Sequence, residues 1–359
     1  MKNKAMKTFG SEWFGISIST LALAQVYLLI YGMEGSIAYR YVAEALTFAG
    51  LLLFGIIFTM WVSRGISSMG NGRTHWDNLT RLSFIALIPI VGFVGNAQLI
   101  TYFGLDPLSA GISLVGFYVF YLLSLILGVL LGYRLYTKEI APREINYAIV
   151  IPPLAIGTSV FLAPYVMNYY GGVESQTISF LVMMGLGIFF FLYIFIGSLA
   201  LSGHVSTKMH ESLPTTMLPV GIASLIVINL FTISGFGPIG SIDLNIHTVG
   251  LLSIMLWGFE VWNFLVVLII IFARPSRGNL SVWAYGFPLG LFATSTIKIM
   301  SVVYVPALVW VFIGIAAMLN VLWVYGWINT VIFIRIQRAK AGEDEIHRKG
   351  SAGTAHQKT

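Results

Sequence analysis

Ten long apolar stretches, separated by short polar segments, dominate the pattern of hydrophobic and polar positions along the chain. A helix needs about 20 predominantly apolar residues to cross the hydrocarbon core of a bilayer, and each stretch is close to that length. Membrane β-strands have about 10 residues and alternate in polarity, which these stretches do not do. The pattern therefore predicts an all-α integral membrane protein with ten membrane-spanning helices, the first to tenth spans. They are expected at 13–31, 41–63, 82–101, 112–133, 147–167, 178–202, 215–235, 247–272, 280–300 and 306–334.

Composition supports a membrane protein, because only 9% of the 359 residues are charged, against about 25% in soluble domains. We expect a cytoplasmic N-terminal segment at 1–12, a transmembrane domain at 13–335 and a disordered cytoplasmic tail at 336–359. The spans contain no paired carboxylates, no histidine-rich metal spacing and no nucleophile motif. The sequence therefore predicts a protein that is not an enzyme and that has no cofactor. No metal site is expected either, since the spacing in one polar loop does not fit a closed zinc site: His204, Lys208, His210 and Glu211.

The distribution of basic residues predicts the orientation of the chain. All but two of the 20 lysines and arginines fall on one side of the predicted membrane, and Arg40 and Lys298 lie on the other. Loops rich in lysine and arginine stay on the cytoplasmic side. We therefore expect a multi-pass protein of the plasma membrane with both termini in the cytoplasm. The same distribution explains the net charge of +6 without a nucleic-acid partner.

Prolines recur in the odd-numbered spans at similar depth. Pro89, Pro153, Pro219 and Pro288 follow one another at spacings of 64, 66 and 69 residues. Proline removes a helix hydrogen bond, and the freed carbonyl finds no partner in lipid. We expect helix breaks at these prolines, in helices surrounded by protein or water. The repeat predicts five helical hairpins in a pseudo-fivefold ring, with odd helices lining a central pore and even helices outside; the alternative is that the prolines only bend their helices.

The ninth span carries a motif that resembles a known family. Trp283-Ala284-Tyr285-Gly286-Phe287-Pro288 is similar to the ninth-helix motif of the tellurite-resistance/dicarboxylate transporter family. That family includes bacterial tellurite-resistance proteins, plant slow anion channels, yeast malic-acid transporters and fungal sulfite efflux pumps. The continuation to Thr296, together with Trp13-Phe14-Gly15 and Leu256-Trp257-Gly258-Phe259, is most similar to the malate and sulfite branch. Where family members often have two adjacent tryptophans, this chain has Val282-Trp283.

The resemblance implies a homotrimer in which each protomer has its own anion pore, occluded by the phenylalanine that matches Phe287. An aromatic side chain in a narrow apolar constriction blocks ions by filling and dewetting it. The alternative is that Phe287 is a packing residue, one of 25 phenylalanines.

Hydroxyl groups and helix ends are the candidate anion contacts, because fixed charge is scarce in the odd spans. Broken helices present unpaired N–H groups and positive dipole ends to an anion, and hydroxyls add donors. The alternative for each hydroxyl is helix packing. The candidate pore-lining positions are Ser17, Ser19, Thr158, Ser159, Ser224, Gly290, Thr294 and Ser295.

Two charged residues are candidates for a proton or charge site. Glu260 is the one carboxylate near the middle of a span, and intramembrane ionisable residues are costly and usually functional. Its alternative role is structural, as a carboxyl hydrogen-bonded to an asparagine such as Asn263 or Asn229. Lys298, near the outer end of the ninth span, either attracts anions or extends to the membrane interface.

Together these features predict an anion channel or transporter that interacts with the lipid bilayer and moves small anions across the plasma membrane. Malate or other C4-dicarboxylates, sulfite, chloride and nitrate are the candidate substrates. The alternative is a proton-coupled carrier of organic acid or sulfite monoanions that uses Glu260. An enzyme would need a catalytic cluster, and a scaffold without transport would not need broken inner helices.

Overall fold

The computed structural model describes residues 10–68, 79–140, 144–207, 213–236, 244–303 and 305–355. This part of the chain is helical and contains no β-strand. Ten helices are long and apolar enough to cross a membrane, as predicted. Lys208, His210 and Glu211 of the polar loop lie outside the described residues. The ten are α1 (Ser11–Glu34), α2 (Ile37–Gly65), α3 (Leu79–Phe103), α4 (Pro107–Thr137), α5 (Tyr147–Tyr170), α6 (Gly172–Gly203), α7 (Leu213–Ser234), α8 (Ile246–Ala273), α9 (Leu280–Met300) and α10 (Ala307–Ala339).

Odd- and even-numbered helices differ sharply in burial. In the odd helices, 67% to 83% of the most apolar stretch is buried inside the protein, against 11% to 33% in the even helices. The even helices instead expose large apolar side chains, such as Leu52, Val129, Phe195, Ile269 and Trp310. Apolar patches of this extent are rare on soluble proteins and fit a surface that faces lipid. We call the odd helices central and the even helices peripheral.

The central helices contact one another in a closed order. Helix α1 contacts α3, α3 contacts α5, α5 contacts α7, α7 contacts α9, and α9 contacts α1 again. The α9–α1 contact is close because Gly286 and Gly290 of α9 lie against Ser19 and Ala22 of α1. A Cβ atom at position 290 would be 2.7 Å from the Cβ of Ala22. Small residues four apart are the usual means of bringing membrane helices this close.

Each central helix changes geometry near its N-terminal end. In α1, α5, α7 and α9, a 3₁₀ segment precedes the α-helical part, which begins at Phe14, Ile151, Leu218 and Gly286. In α3, a turn at Ala86 separates Leu79–Ile85 from Leu87–Phe103. At the four predicted helix breaks, the structure has a change in helix type or a turn. The α-helical part starts one or two residues before the proline, which therefore lies in its first turn. Proline fits there because the first turn of an α-helix has no internal use for its N–H groups.

The last helix extends beyond the apolar region. It runs from Ala307 to Ala355, so the backbone is helical in most of the segment for which the sequence predicted disorder.

Candidate functional site

A small cavity, the Phe287 cavity, lies where the N-terminal ends of all five central helices meet. Its volume is about 20 Å³, which is room for about one water molecule. Its wall is apolar apart from Glu12. The residues that line it are Glu12, Gly15 and Ile18 of α1, Phe84 and Leu87 of α3, Ile151 and Leu154 of α5, Leu218 of α7, and Leu280, Trp283, Ala284, Phe287 and Pro288 of α9.

A larger cavity, the Arg40 cavity, lies toward the opposite ends of α1, α3 and α5. Its volume is about 270 Å³. Its wall combines one basic side chain with hydroxyl, amide and apolar groups. The residues that line it are Gln25, Leu28, Leu29, Tyr31, Arg40, Val94, Ala97, Gln98, Thr101, Tyr102, Phe161 and Tyr165.

The two cavities open on the same face of the helices they share. Side chains three, four or seven residues apart lie on one face of an α-helix. On α1 the lining positions 15, 18, 25 and 29 follow this spacing, as do 84, 87, 94, 98 and 101 on α3 and 151, 154, 161 and 165 on α5. Between the cavities that face carries Ala22, Val91 and Thr158, which are all buried. The residues that line the two cavities therefore lie on similar faces of α1, α3 and α5, with buried residues between them.

The Phe287 side chain lines the Phe287 cavity and is 5% exposed. The backbone on either side of it is tightly packed. A Cβ at Gly286 would be 2.4 Å from the Cβ of Ser19, and a Cβ at Gly221 of α7 would be 2.8 Å from the Cα of Pro288. The helices α1 and α7 therefore hold the backbone of this segment, and the Phe287 side chain projects from a fixed point.

Trp283 anchors the 3₁₀ segment that precedes Phe287. Its indole Nε1 donates to the Thr330 hydroxyl of α10 over 2.9 Å, and its ring packs edge-on against Trp327. Its carbonyl accepts a 2.7 Å hydrogen bond from Ser19. The sequence marked Trp283 only as part of the family motif, and nothing in its spacing indicated this anchoring contact.

Most of the predicted pore-lining hydroxyls hold helices together. Ser17 donates to the carbonyl of Gly50 in α2, and Ser19 to that of Trp283. Thr158 and Thr294 bond to carbonyls of their own helices. Gly290 packs against Ala22. Ser159 differs, because its buried hydroxyl has no hydrogen-bond partner among the described residues.

The N–H groups are paired at three of the changes of helix type, where the prolines predicted unpaired ones. The N–H of Phe14 bonds to the carbonyl of Ser11, that of Ile151 to Ala148, and that of Gly286 to Trp283. A 3₁₀ segment that leads directly into an α-helix supplies these acceptors.

Glu260 projects from the peripheral helix α8 into the protein interior. Its Oε2 accepts hydrogen bonds from Ser224 of α7 over 2.7 Å and from Ser295 of α9 over 2.6 Å. The side chain is fully buried, and Oε1 has no partner among the described residues. The asparagines suggested from the sequence bond elsewhere, Asn229 to the carbonyls of Gly157 and Leu225 and Asn263 to that of Phe259. The two serines were predicted pore contacts, and their link to Glu260 could not be read from spacing.

The basic residue at the larger cavity is Arg40. Sequence analysis placed Arg40 on the same side as Lys298 but assigned a possible role only to Lys298. Lys298 lies in the last turn of α9. The charge distribution contained the signal that would have identified Arg40, because Arg40 and Lys298 are the two basic residues on the side opposite the basic loops.

Comparison with known proteins finds a matching family and two relatives. A family model described as voltage-dependent anion channel matches residues 8–331. An uncharacterized transporter of Methanocaldococcus jannaschii is 23% identical over 338 residues, covering 91% of this chain and 95% of the relative. A second uncharacterized transporter of the same organism is 25% identical over 304 residues, covering 81% and 83%. The resemblance of the ninth-helix motif is thereby confirmed, and the chain belongs to the voltage-dependent anion channel family.

Proposed function

We propose that the five central helices form a pseudo-fivefold ring around an anion pore, and that Phe287 occludes this pore. The observation that carries the proposal is the position of two cavities on one shared face of α1, α3 and α5, with Phe287 at the narrower one. The closed order of contacts among the central helices supports the ring. Membership of an anion channel family supports the class of substrate.

Phe287 closes the pore because the remaining space is too small and too apolar for an anion. A cavity of about 20 Å³ does not hold a hydrated ion, and an apolar constriction excludes water. Since α1 and α7 hold the backbone on both sides of Phe287, the pore opens by rotation of the side chain. Glycine at position 286 and the proline at 288 serve this arrangement, the first by close packing and the second by fixing the helix start.

The pore passes small anions, such as malate or other C4-dicarboxylates, sulfite, chloride or nitrate. Charged residues of the central helices lie only near the helix ends, at Glu12, Glu34, Arg81 and Lys298. An anion therefore meets no fixed cation in the middle of the path that would retain it. Among the predicted pore contacts, Ser159 is the one whose hydroxyl has no hydrogen-bond partner among the described residues.

The protein acts as a homotrimer in the plasma membrane, with a pore in each protomer and both termini in the cytoplasm. The trimer follows from the family resemblance. The orientation follows from the basic loops, which place the Phe287 cavity on the cytoplasmic side and the Arg40 cavity outside.

The test of the pore is anion flux into liposomes that contain the wild type or Phe287→Ala. We expect flux of chloride, sulfite or malate to rise at least tenfold in the variant, because the side chain that fills the constriction is removed. Phe292→Ala is the matched control. Phe292 is one turn further along α9 and equally buried, but its ring packs against Trp257 and Phe264 of α8. Equal flux in the wild type and Phe287→Ala, with both proteins folded, would rule out the gate.

A second candidate function, a proton-coupled carrier of monoanionic acids, rests on Glu260. Its carboxyl group is the only part of α8 that bonds to both α7 and α9 in the described hydrogen bonds, and no described lysine or arginine forms an ion pair with it. A carboxyl without a cationic partner inside the membrane is suited to carrying a proton. In this mechanism, gain and loss of the proton changes the bonds to Ser224 and Ser295 and so alters how α7 and α9 are held.

Flux measured with and without a pH gradient separates the two functions. A carrier requires the gradient and loses transport in Glu260→Gln, which keeps the shape of the side chain but cannot ionise. A channel conducts down the anion gradient alone, and Glu260→Gln then leaves flux through Phe287→Ala unchanged.

A further inference from the structure

The Arg40 cavity is large enough for an organic anion. Its volume of about 270 Å³ is several times the roughly 30 Å³ that a water molecule occupies in the liquid. A halide ion would fill only a small part of it. The cavity is separate from the Phe287 constriction, and the gating mechanism makes no use of it.

Arg40 provides the cationic end of this cavity. Its Nε donates to the carboxylate of Glu44 over 3.0 Å, and its Nη2 donates to the Tyr102 carbonyl over 3.4 Å. A guanidinium has five N–H donors, which is more than these two contacts use. The side chain is 35% exposed, so an anion in the cavity can reach the remaining donors.

Neutral polar groups form another part of the wall. The hydroxyls of Thr101 and Tyr165 are 2.8 Å apart, and the Thr101 hydroxyl donates to the carbonyl of Ala97. The Tyr165 hydroxyl is therefore the donor that a ligand can take over from Thr101. The amide of Gln98 is held in place, because its Nε2 donates to the carbonyl of Leu21 and its Oε1 accepts from Thr47. These groups can bind a second polar end of a ligand without adding charge.

Apart from Gln25 and Tyr31, the rest of the wall is apolar and consists of Leu28, Leu29, Val94, Ala97 and Phe161. Such a surface favours a hydrocarbon segment over the hydration shell of an inorganic ion. The combination of a planar guanidinium, an apolar wall and neutral donors is the arrangement that recognises a short carbon chain with a carboxylate at one end.

We propose that the Arg40 cavity is a binding site for small carboxylate anions, with one carboxylate on Arg40 and the carbon chain on the apolar wall. A dicarboxylate accepts a hydrogen bond from the Tyr165 hydroxyl with its second carboxylate, in place of Thr101. The role of this site in supplying anions to the pore rests on the proposed function, whereas binding itself does not. Glu44 competes with the ligand for Arg40, because both are carboxylates that need the same guanidinium.

The test is isothermal titration of malate into the purified full-length protein, which requires no transport. Arg40→Gln removes the charge and is expected to weaken binding by roughly tenfold to a hundredfold, the range for loss of a charge-assisted pair of hydrogen bonds. Lys298→Gln is the matched control, since it removes one positive charge from the same side of the protein. Glu44→Gln is expected to strengthen binding, because it removes the competing carboxylate.

Loss of affinity in Arg40→Gln with unchanged affinity in Lys298→Gln would support the site. Equal affinity in the wild type and Arg40→Gln, or equal losses in both variants, would overturn it. Chloride that competes as well as malate would overturn the assignment to carboxylates. If Arg40→Gln does not fold, Arg40→Lys takes its place, because lysine keeps the positive charge but lacks the planar set of N–H donors. Wild-type affinity in both Glu44→Gln and Arg40→Lys would also overturn the proposal. Binding that persists when Phe287→Ala carries no flux would leave this site standing and reject the pore.

Discussion

Gly290 is a residue whose importance lies in the absence of a side chain. A Cβ atom at this position would be 2.7 Å from the Cβ of Ala22 and 3.2 Å from its backbone. Neither contact can relax by moving a flexible side chain, so α9 would have to shift away from α1. Because α9 also carries Phe287, the packing of one glycine affects both stability and the position of this proposed gate.

Gly290→Ala is therefore expected to destabilise the protein by about 1–3 kcal/mol, the usual cost of overpacking a well-packed interior. Thermal unfolding of the detergent-solubilised protein measures the effect. Gly258→Ala on the peripheral helix α8 is the control, since a Cβ there has no heavy atom within 4 Å and alanine is a better helix former than glycine. An unfolding temperature unchanged in Gly290→Ala would show that α1 and α9 are not in tight contact.

At the residue scale, the sequence identified candidate groups but not their partners. Ser224 and Ser295 were predicted pore contacts on central helices, and both bond to a carboxyl from a peripheral helix. Hydrophobic periodicity does not specify which of several buried faces a small polar side chain takes, because a hydroxyl adds little to the pattern. Arg40 was visible as an exception to the charge rule, but its cavity also requires residues of α3 and α5, which are distant in sequence.

At the scale of elements, the division into central and peripheral helices was predictable. Proline and small residues are tolerated where protein surrounds a membrane helix, and smooth aromatic spans face lipid. The form of the breaks was not predictable. A proline shows that one backbone N–H, its own, cannot donate a helix hydrogen bond. It does not show whether the chain before it forms a turn, as at Ala86, or a 3₁₀ segment, as at Leu280–Tyr285.

The 3₁₀ segment of α9 depends on the anchor provided by Trp283. Trp283→Phe removes the hydrogen bond to Thr330, worth about 1 kcal/mol, and should loosen the segment that leads to Phe287. We expect basal anion flux to increase roughly fivefold, which corresponds to that free energy. The control is Trp257→Phe, which loses an equivalent bond to Thr296 nearer the other end of α9. An equal increase in both variants would indicate general destabilisation instead of a local effect on the gate.

The N-terminus of α4 carries a capping box that depends on pH. Asp106 accepts from the side chain and the backbone of Ser109, and these hydrogen bonds hold the pKa of its carboxyl below the ordinary value of 3.8. Because the pKa is lower in the folded state, the carboxylate stabilises the cap at pH values above its ordinary pKa. This contribution is lost as the pH falls through the lowered pKa. Asp106→Asn keeps an acceptor that does not titrate.

Hydrogen exchange of the Ser109 amide measures this effect. We expect faster exchange in Asp106→Asn than in the wild type at neutral pH, and a difference that shrinks below about pH 4 as the wild-type carboxylate becomes protonated. Asp106→Ala, which has no acceptor, should exchange fastest near neutral pH. A difference between wild type and Asp106→Asn that stays constant down to pH 2 would contradict the assignment.

For the whole molecule, the number of spans and the basic loops predict one topology. Ten crossings place both ends of the chain on the same side, and the excess of lysine and arginine predicts that this side is the cytoplasm. The direction matters for function, because in the predicted orientation the Phe287 cavity faces the cytoplasm and the Arg40 cavity faces outside. The arrangement of helices alone cannot provide it, since the fold is the same in either orientation.

Single cysteines test this topology directly, because the chain contains no cysteine of its own. Ser36→Cys lies in the exposed connection between α1 and α2, and Glu139→Cys in the exposed segment after α4. In intact cells, a membrane-impermeant maleimide should label Ser36→Cys and should reach Glu139→Cys only after permeabilisation. The reverse pattern would place Arg40 in the cytoplasm, where it would receive anions leaving the cell instead of anions arriving from outside. Labelling of both sites in intact cells would mean that an even number of membrane crossings separates them, in conflict with the three helices α2, α3 and α4 that lie between them in the ten-span fold.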